Sequence, residues 1–186
     1  MRAWLQLPRS WFPYPRLARS SDNVLVAMKI TVAPEPFDSA DARRLIAALD
    51  EHLAGLYLPE QRFGPNLRPE QVAPGLGMFV LARADGVPIG CGALRLLEDA
   101  SPEMKQTAEL KRMYVEPAMR GRGVGQAIVE HLEAAALTLG ARRLVLETGI
   151  HQTEAIGLYE RVGFRPIECF GEYATSPTSV CYEKTI

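Results

Sequence analysis

The pattern of hydrophobic and polar positions along the chain predicts alternating strands and helices. The segment KITVAPEP, 29–36, is short and apolar and is closed by prolines, as expected for an edge strand. Apolar residues then recur at helical spacing over 42–56, with Asp38 or Ser39 available as the N-cap. Three prolines and several polar residues in 60–76 predict a loop with one short helical turn.

The central segment predicts a meander of three strands. An Asp85-Gly86 pair divides the apolar run 78–98 into the two arms of a hairpin. A third strand, 107–115, is followed by a glycine-rich stretch and a helix that ends at Gly140. Beyond that glycine the pattern predicts a buried strand, a helix and two final strands, over 141–150, 153–162, 163–170 and 179–185.

The resulting order of elements is β-α-loop-β-β-β-α-β-α-β-β. Strands joined by tight turns are expected to be antiparallel. The strands at 107–115 and 142–149 are joined by a helix, so we expect them to be parallel neighbours with a right-handed crossover. The sequence therefore predicts an α+β (mixed α/β) fold.

Residues 1–27 differ from the rest of the chain. They contain four arginines, three prolines and no acidic residue before Asp22, and they lack the continuous apolar run of a secretory signal. We expect a disordered N-terminal extension, or an over-long start, followed by a single domain over 28–186.

Composition narrows the class of protein. The chain has 186 residues, of which 47% are hydrophobic and 23% charged, which is ordinary for one globular domain. A formal charge of −1 argues against a nucleic-acid partner, and no apolar run approaches the roughly 20 residues of a membrane span. Cys91, Cys169 and Cys181 form no C-x-x-C pair and no metal spacing with the histidines, so we expect reduced thiols, no metal and a cytoplasmic location.

The glycine-rich stretch at 120–125, Arg-Gly-Arg-Gly-Val-Gly, has the composition of an anion site. A helix N-terminus offers unpaired N–H groups and partial positive charge, and glycine removes the Cβ atoms that would keep a phosphate away. The P-loop pattern is absent, and the dinucleotide fingerprint fails because Gln126 stands where its third glycine belongs. The stretch therefore predicts a pyrophosphate cradle of another kind.

The spacing that does match is [Arg/Gln]-x-x-Gly-x-[Gly/Ala], formed by Arg120, Gly123 and Gly125. On ELKRMYVEPAMRGRGVGQAIVEHL and AIGLYERVGF, the chain resembles the GNAT superfamily of N-acetyltransferases over Lys29 to the C-terminus. The resemblance implies a central mixed, mostly antiparallel sheet with a splayed parallel pair and helices on both faces.

The same resemblance implies acetyl-CoA as cosubstrate and no metal. Backbone groups of 113–115 would pair with pantetheine in the splay, and the cradle would hold the pyrophosphate. Gln152 stands where many family members carry Asn. The implied cofactor-binding residues are Met113, Tyr114, Val115, Arg120, Gly121, Arg122, Gly123, Val124, Gly125, Gln126, Gln152 and Ala155.

Two residues are implied as catalytic. Tyr159 occupies the usual general-acid position near the CoA sulfur, and Glu109 lies where many members carry a catalytic carboxylate. Strict alternation would place Glu109, Lys111, Met113 and Val115 on one face of the strand. A solvated strand-end charge, an ion pair with Lys111 or Arg112, and a water relay remain alternatives to a direct Glu109 base.

The acceptor side is expected from the first loop and the C-terminal loop. Glu172 and the ring face of Tyr173 would suit a cationic amine, and Arg62 would suit a carboxylate. The function expected is transfer of acetyl to the amine of a small or amino-acid-like acceptor in a ternary complex. Alternatives are a protein N-terminal or lysine acetyltransferase and a non-catalytic acyl-CoA-binding module; a homodimer is compatible with the family.

Overall fold

The computed structural model describes residues 28–61, 66–97 and 104–186. The predicted N-terminal extension, residues 1–27, lies outside the described residues. Seven strands and three α-helices occur within the described ranges. They are β1 (Ile30–Pro34), α1 (Ala40–Leu56), β2 (Gly77–Ala84), β3 (Val87–Leu96), β4 (Thr107–Val115), α2 (Val124–Thr138), β5 (Arg143–Gly149), α3 (Thr153–Arg161), β6 (Arg165–Ile167) and β7 (Ser179–Thr185).

The strands form one mixed sheet in the order β1-β2-β3-β4-β5-β7-β6. β4 and β5 are parallel, and the other neighbouring strands are antiparallel. The predicted fold class, the meander and the parallel crossover are confirmed. The pairing of β7 between β5 and β6 was not predicted, since periodicity along a strand does not identify its neighbours.

Local signals explain where the helices begin. The Ser39 side chain accepts a hydrogen bond from the N–H of Ala42 at 3.1 Å, so Ser39 rather than Asp38 is the N-cap of α1. The N-cap of α2 is Gly123, whose φ of 81° lies in the left-handed region that glycine tolerates. The loop at 66–76 contains the expected short turn, Pro69–Val72.

The two faces of the sheet carry separate cores. α1 packs its buried residues on one face against side chains of β2, β3 and β4, including Ala42, Leu45, Leu49, Phe79, Leu81, Cys91, Ala93 and Tyr114. α2 and α3 cover the other face, where the larger core includes Val80, Leu94, Leu110, Ile128, Leu132, Leu144, Leu146, Tyr159 and Phe164. The sheet is therefore buried on both faces and separates the two hydrophobic cores.

A β-bulge in β4 overturns the expected alternation along that strand. Arg112 has a φ of 55°, and the register shifts so that Cys91 of β3 faces Tyr114 while Ala93 faces Lys111. Beyond the bulge every side chain moves to the opposite face. Glu109 and Lys111 therefore lie on the α1 face, while Met113 and Val115 contact the core beneath α2.

The expectation that all three cysteines are reduced thiols was wrong. Cys169 and Cys181 form a disulfide, with Cα atoms 5.1 Å apart. Cys91 is the buried hydrophobe that the sequence predicted, and burial raises the pKa of its thiol to about 12. Spacing alone did not indicate the pair, because β7 brings the two residues together only in the folded sheet.

Two further searches are restricted to the described ranges. None of the helices found there is long and apolar enough to span a bilayer. Within the same ranges, no group of three or more His, Cys, Asp or Glu side chains is placed to hold a metal ion.

Gly149 at the end of β5 provides a test of this packing. A Cβ added there would collide with the ring and hydroxyl of Tyr57, the C-cap residue of α1. We expect Gly149→Ala to lower the free energy of unfolding by about 1–3 kcal/mol, measured by urea denaturation. The control is Gly55→Ala in α1, where a Cβ meets nothing within 4 Å; it should stabilise by about 0.5 kcal/mol. Equal effects of the two variants would contradict the close approach of Tyr57.

Candidate active site

The parallel strands β4 and β5 separate before they end. Their pairing runs from Thr107 with Arg143 to Leu110 with Leu146, and the later residues of both strands no longer pair with each other. A cavity of about 740 Å³ opens beside this gap. Its wall includes Leu49 and His52 from α1 as well as residues of α2 and α3. Because these helices lie on opposite faces, the cavity crosses the sheet at the gap.

The glycines of the cradle serve two distinct purposes. Gly121 and Gly123 have φ of 71° and 81°, and a Cβ on either would meet only open space. These two residues provide the backbone turn that a side chain would strain. Gly125 instead allows the start of α2 to pack closely against α3, since a Cβ at this position would lie 2.8 Å from Leu158 of α3. The loop therefore packs against α3, and the N-terminus of α2 remains open to the cavity.

The first turn of α2 supplies unpaired N–H groups. The Gly123 carbonyl accepts the Ala127 N–H at 3.0 Å, so the N–H groups of 124–126 precede the first intrahelical donor. Together with the helix dipole they form a site for an anion at the cavity wall. Such donors are of the kind that bind phosphate groups.

The Arg120 guanidinium is bound to neighbouring residues, so it stabilises the cradle loop and its charge is already compensated. Its Nε donates to the Val115 carbonyl at 3.1 Å, and its Nη1 pairs with Glu154 at 2.5 Å. These contacts join the end of β4 to the start of α3 across the loop. Arg122 is exposed and does not line the cavity.

The structure brings together almost all of the sequence-predicted cofactor residues. Every one except Arg122 lines the cavity: Met113, Tyr114, Val115, Arg120, Gly121, Gly123, Val124, Gly125, Gln126, Gln152 and Ala155. The Tyr114 side chain itself is buried on the α1 face.

Tyr159 lies on α3 and lines the same cavity. It is 4% exposed and packs edge-on against Phe164, with ring centroids 5.8 Å apart. Burial raises the pKa of Tyr159 strongly, and the nearby Glu147 carboxylate adds to the rise. The phenol therefore stays protonated throughout the neutral range and can donate its proton.

Glu109 is enclosed in a network of ion pairs on the α1 face. The carboxylate is 1% exposed, and Arg95 contacts one oxygen through Nε at 2.7 Å and Nη2 at 2.6 Å. The other oxygen accepts from the Tyr173 hydroxyl at 2.9 Å and lies 3.4 Å from the Lys111 ammonium. The ion pair that the sequence left open thus exists with Lys111, and Arg95 is a second, unforeseen partner. Glu109 does not line the cavity.

Glu147 is a second carboxylate that the sequence did not single out. It lies on β5 immediately beyond the last paired residue and is half-buried, with Ser179 donating to Oε1 at 2.6 Å. Like Glu109, it does not itself line the cavity. Burial raises the pKa of Glu147, and Ser179 and Lys111 oppose the rise only in part. The signal that was available is an acidic residue inside the apolar run LVLETG.

Tyr173 is buried, and its ring is already occupied. The Lys111 ammonium lies 5.4 Å from the ring centroid and donates to the hydroxyl at 2.7 Å, so a side chain of the protein takes the cation position predicted for the acceptor. Burial lowers the pKa of Lys111, although Glu109 opposes the change. Glu172 is exposed beside Tyr173, and Arg62 lies outside the described residues.

Tyr57 contacts His151, a residue of the cavity wall. The Tyr57 hydroxyl accepts the His151 N–H at 2.8 Å, and the two rings stack with centroids 5.4 Å apart. His151 lines the cavity as an exposed residue, as does the half-buried His52. The sequence indicated no role for Tyr57, because its partner is 94 positions away.

A mostly antiparallel sheet that opens at one parallel pair, with an anion cradle beside the gap, defines an acyltransferase of the kind that the sequence resembles. The chain belongs to the acetyltransferase (GNAT) family, whose model matches residues 46–164. The IAA acetyltransferase of Azospirillum brasilense is 34% identical over 158 residues, 84% of this chain and 98% of the relative. The amino-acid acetyltransferase of Mycobacterium tuberculosis is 31% identical over 87% of this chain and 73% of the relative.

Solved structures agree with this assignment. A Klebsiella pneumoniae protein assigned as an acyl-CoA N-acyltransferase is 34% identical, with a TM-score of 0.68 over 84% of this chain and 97% of that one. The PaiA N-acetyltransferase of Thermoplasma acidophilum, solved with coenzyme A, has a TM-score of 0.62 at 18% identity over 86% of this chain and 100% of that one. The latter likeness shows the fold alone.

The cradle geometry generates a binding prediction. Gly123→Ala should raise the Kd for acetyl-CoA about tenfold, because a side chain at positive φ costs about 1–2 kcal/mol and the relaxed loop must be restored on binding. Isothermal calorimetry measures the change. Gly75→Ala is the matched control, since Gly75 has a φ of 89° outside the cavity. That variant should lose similar stability and keep its acetyl-CoA affinity; equal losses of affinity in both would contradict the assigned cradle.

Proposed function

We propose that the protein transfers the acetyl group of acetyl-CoA to the amine of a small or amino-acid-like acceptor within a ternary complex. The observation that supports this most strongly is the cavity that crosses the sheet where β4 and β5 separate. A cofactor bound on the α2 side and an acceptor entering on the α1 side would meet at the gap. Proximity of this kind removes much of the entropic barrier to a reaction between two substrates.

The residues present suit acetyl-CoA, which would supply an activated acetyl thioester. The open cradle at 121–126 offers backbone donors to the pyrophosphate, and the end of β4 offers peptide groups to pantetheine. The Thermoplasma acidophilum protein that shares this fold was solved with coenzyme A. An amino-acid-like acceptor is consistent with the activity named for the Mycobacterium tuberculosis relative.

In this proposal Tyr159 is the general acid. When the amine nitrogen bonds to the acetyl carbon, the carbon–sulfur bond breaks and the leaving thiolate takes the phenolic proton. The second proton that the nitrogen loses on becoming an amide returns to the Tyr159 phenolate through solvent. A phenol with a raised pKa remains protonated and available at neutral pH.

Glu147 is proposed to accept the proton that the attacking ammonium must lose. Its raised pKa and half-buried position at the gap suit a general base near neutral pH. Glu109, which the sequence suggested for this role, is held by Arg95 and enclosed at 1% exposure. We assign Glu109 the positioning of Lys111 and Tyr173 instead.

A thiol-release assay tests the function. Purified protein is mixed with acetyl-CoA and a panel of amines, amino acids and short peptides. We expect acceptor-dependent release of free thiol, with kcat about 10²-fold lower in Tyr159→Phe and an unchanged Kd for acetyl-CoA. Release confined to peptides would favour a protein acetyltransferase. Acetyl-CoA binding without release by any acceptor would contradict the proposed transfer.

The pH profile separates the two glutamates. A base must be unprotonated, so kcat/KM should fall as the pH drops through the Glu147 pKa, which burial places above the ordinary glutamate range. Glu147→Gln should lower kcat about 10²-fold and abolish this acidic limb. Glu109→Gln is the matched control: it should cost about 3 kcal/mol of stability by leaving Arg95 and Lys111 unpaired, yet keep the limb. The reverse pattern would return the role of base to Glu109.

A further inference from the structure

The disulfide between Cys169 and Cys181 lies beside the reaction gap. Cys181 is the β7 residue that pairs with Glu147 of β5, and opposite residues of an antiparallel pair point to the same face. Cys169 follows the three-residue strand β6, whose Ile167 also pairs with Cys181. The disulfide thus links the residue after β6 to β7, and β7 pairs with β5 at Glu147.

Residues 170–178 lie within the loop that this disulfide closes, and they contact charged residues of the α1 face. Its Tyr173 donates to Glu109 at 2.9 Å, accepts from Lys111 at 2.7 Å and stacks edge-on with Phe170. Thr178 donates to the Gln61 carbonyl at 2.9 Å. The next residue, Ser179, is the one that hydrogen-bonds the Glu147 carboxylate. Displacement of this segment would therefore change the surroundings of Glu109, Lys111 and Glu147 on the α1 face, where the acceptor is proposed to enter.

The segment has little regular structure of its own. Its internal backbone bonds are short-range, as in Tyr173 N–H to Phe170 and Ser176 N–H to Tyr173, both at 3.0 Å, and at its end the Thr178 carbonyl accepts from the Ile150 N–H at 2.9 Å. β6, which leads into it, is a short strand at the edge of the sheet. Without the disulfide, the segment is held by the side-chain contacts of Tyr173 and Thr178, so we expect it to open more often.

The pyrophosphate cradle is independent of this segment. In the described part of the chain, no hydrogen bond or ion pair joins the cradle at 120–126 to residues 170–178. A change in the segment can therefore alter acceptor binding while leaving cofactor binding intact.

We propose that the Cys169–Cys181 disulfide is a redox latch that controls the acceptor side of the proposed transferase. A dithiol reductant would break the sulfur–sulfur bond, delivering two electrons and two protons to give two thiols and becoming a disulfide itself. Cys169 is half-buried and offers the reductant a sulfur to attack. Release of residues 170–178 then weakens acceptor binding. This inference rests on the proposed function for its consequence in turnover, but the release itself is measurable without an acceptor.

The test compares the full chain in its oxidised and dithiothreitol-reduced forms. Titration of the denatured protein should find one thiol when oxidised and three when reduced, since the chain has three cysteines and Cys91 is free. Hydrogen exchange of peptides from 170–178 should accelerate about tenfold on reduction. The Kd for acetyl-CoA should stay within about twofold. With the best amine of the panel, the acceptor KM should rise about fivefold, as expected if the ordered segment is populated about a fifth of the time. Reoxidation should restore both values.

Variants separate the latch from a general loss of stability. Cys169→Ser without reductant should behave like the reduced protein, whereas Cys91→Ala should keep the oxidised-to-reduced ratio of KM. If Cys169→Ser does not fold, comparison of the oxidised and reduced forms of the unaltered chain still tests the proposed latch. A chain that cannot be oxidised to one thiol, or equal exchange and equal KM in both forms, overturns the latch. If no amine is acetylated, the proposed function fails. The hydrogen-exchange rates of residues 170–178 in the two redox forms still test whether reduction releases the segment.

Discussion

The premature end of pairing between β4 and β5 is the constraint on which the site depends. After Leu110 and Leu146 each strand stays bonded to its antiparallel neighbour, so the two strands part without either one unravelling. The bulge at Arg112 helps to shape this opening. Its positive φ is unusual for a residue with a side chain, and contacts of its guanidinium with Asp50 at 2.7 Å and Asn66 at 2.9 Å hold it in place.

The sheet divides the chemistry between its two faces. On the α2 face, glycines and a helix N-terminus leave backbone donors open to an anion, and Tyr159 lies at the same cavity. On the α1 face, the side chains near the gap are polar and charged. The bulge in β4 contributes to this division, because it places the side chains before and after it on opposite faces.

Electrostatics on the α1 face distinguish two carboxylates only a few residues from the gap. Glu109 is fully enclosed, and Arg95 and Lys111 compensate its charge. Glu147 is partly accessible and has weaker compensation, so burial raises its pKa. The oxygens of Glu109 are occupied by contacts with other side chains, whereas the raised pKa of Glu147 suits a general base near neutral pH. Charge compensation and exposure therefore distinguish the two glutamates.

The sequence by itself determined the order and type of the elements, the parallel crossover and the location of the cradle. These features depend on local information: apolar periodicity, turn residues such as Asp85-Gly86, and the glycine spacing at 121–125. The resemblance to a family extended this reading to Tyr159 and the cofactor cavity. Only the tertiary structure decided the bulge at Arg112, the Cys169–Cys181 disulfide, the Lys111 ammonium over Tyr173 and the position of Glu147. Each of these requires a partner distant in the chain or a register between strands, and period-two alternation specifies neither.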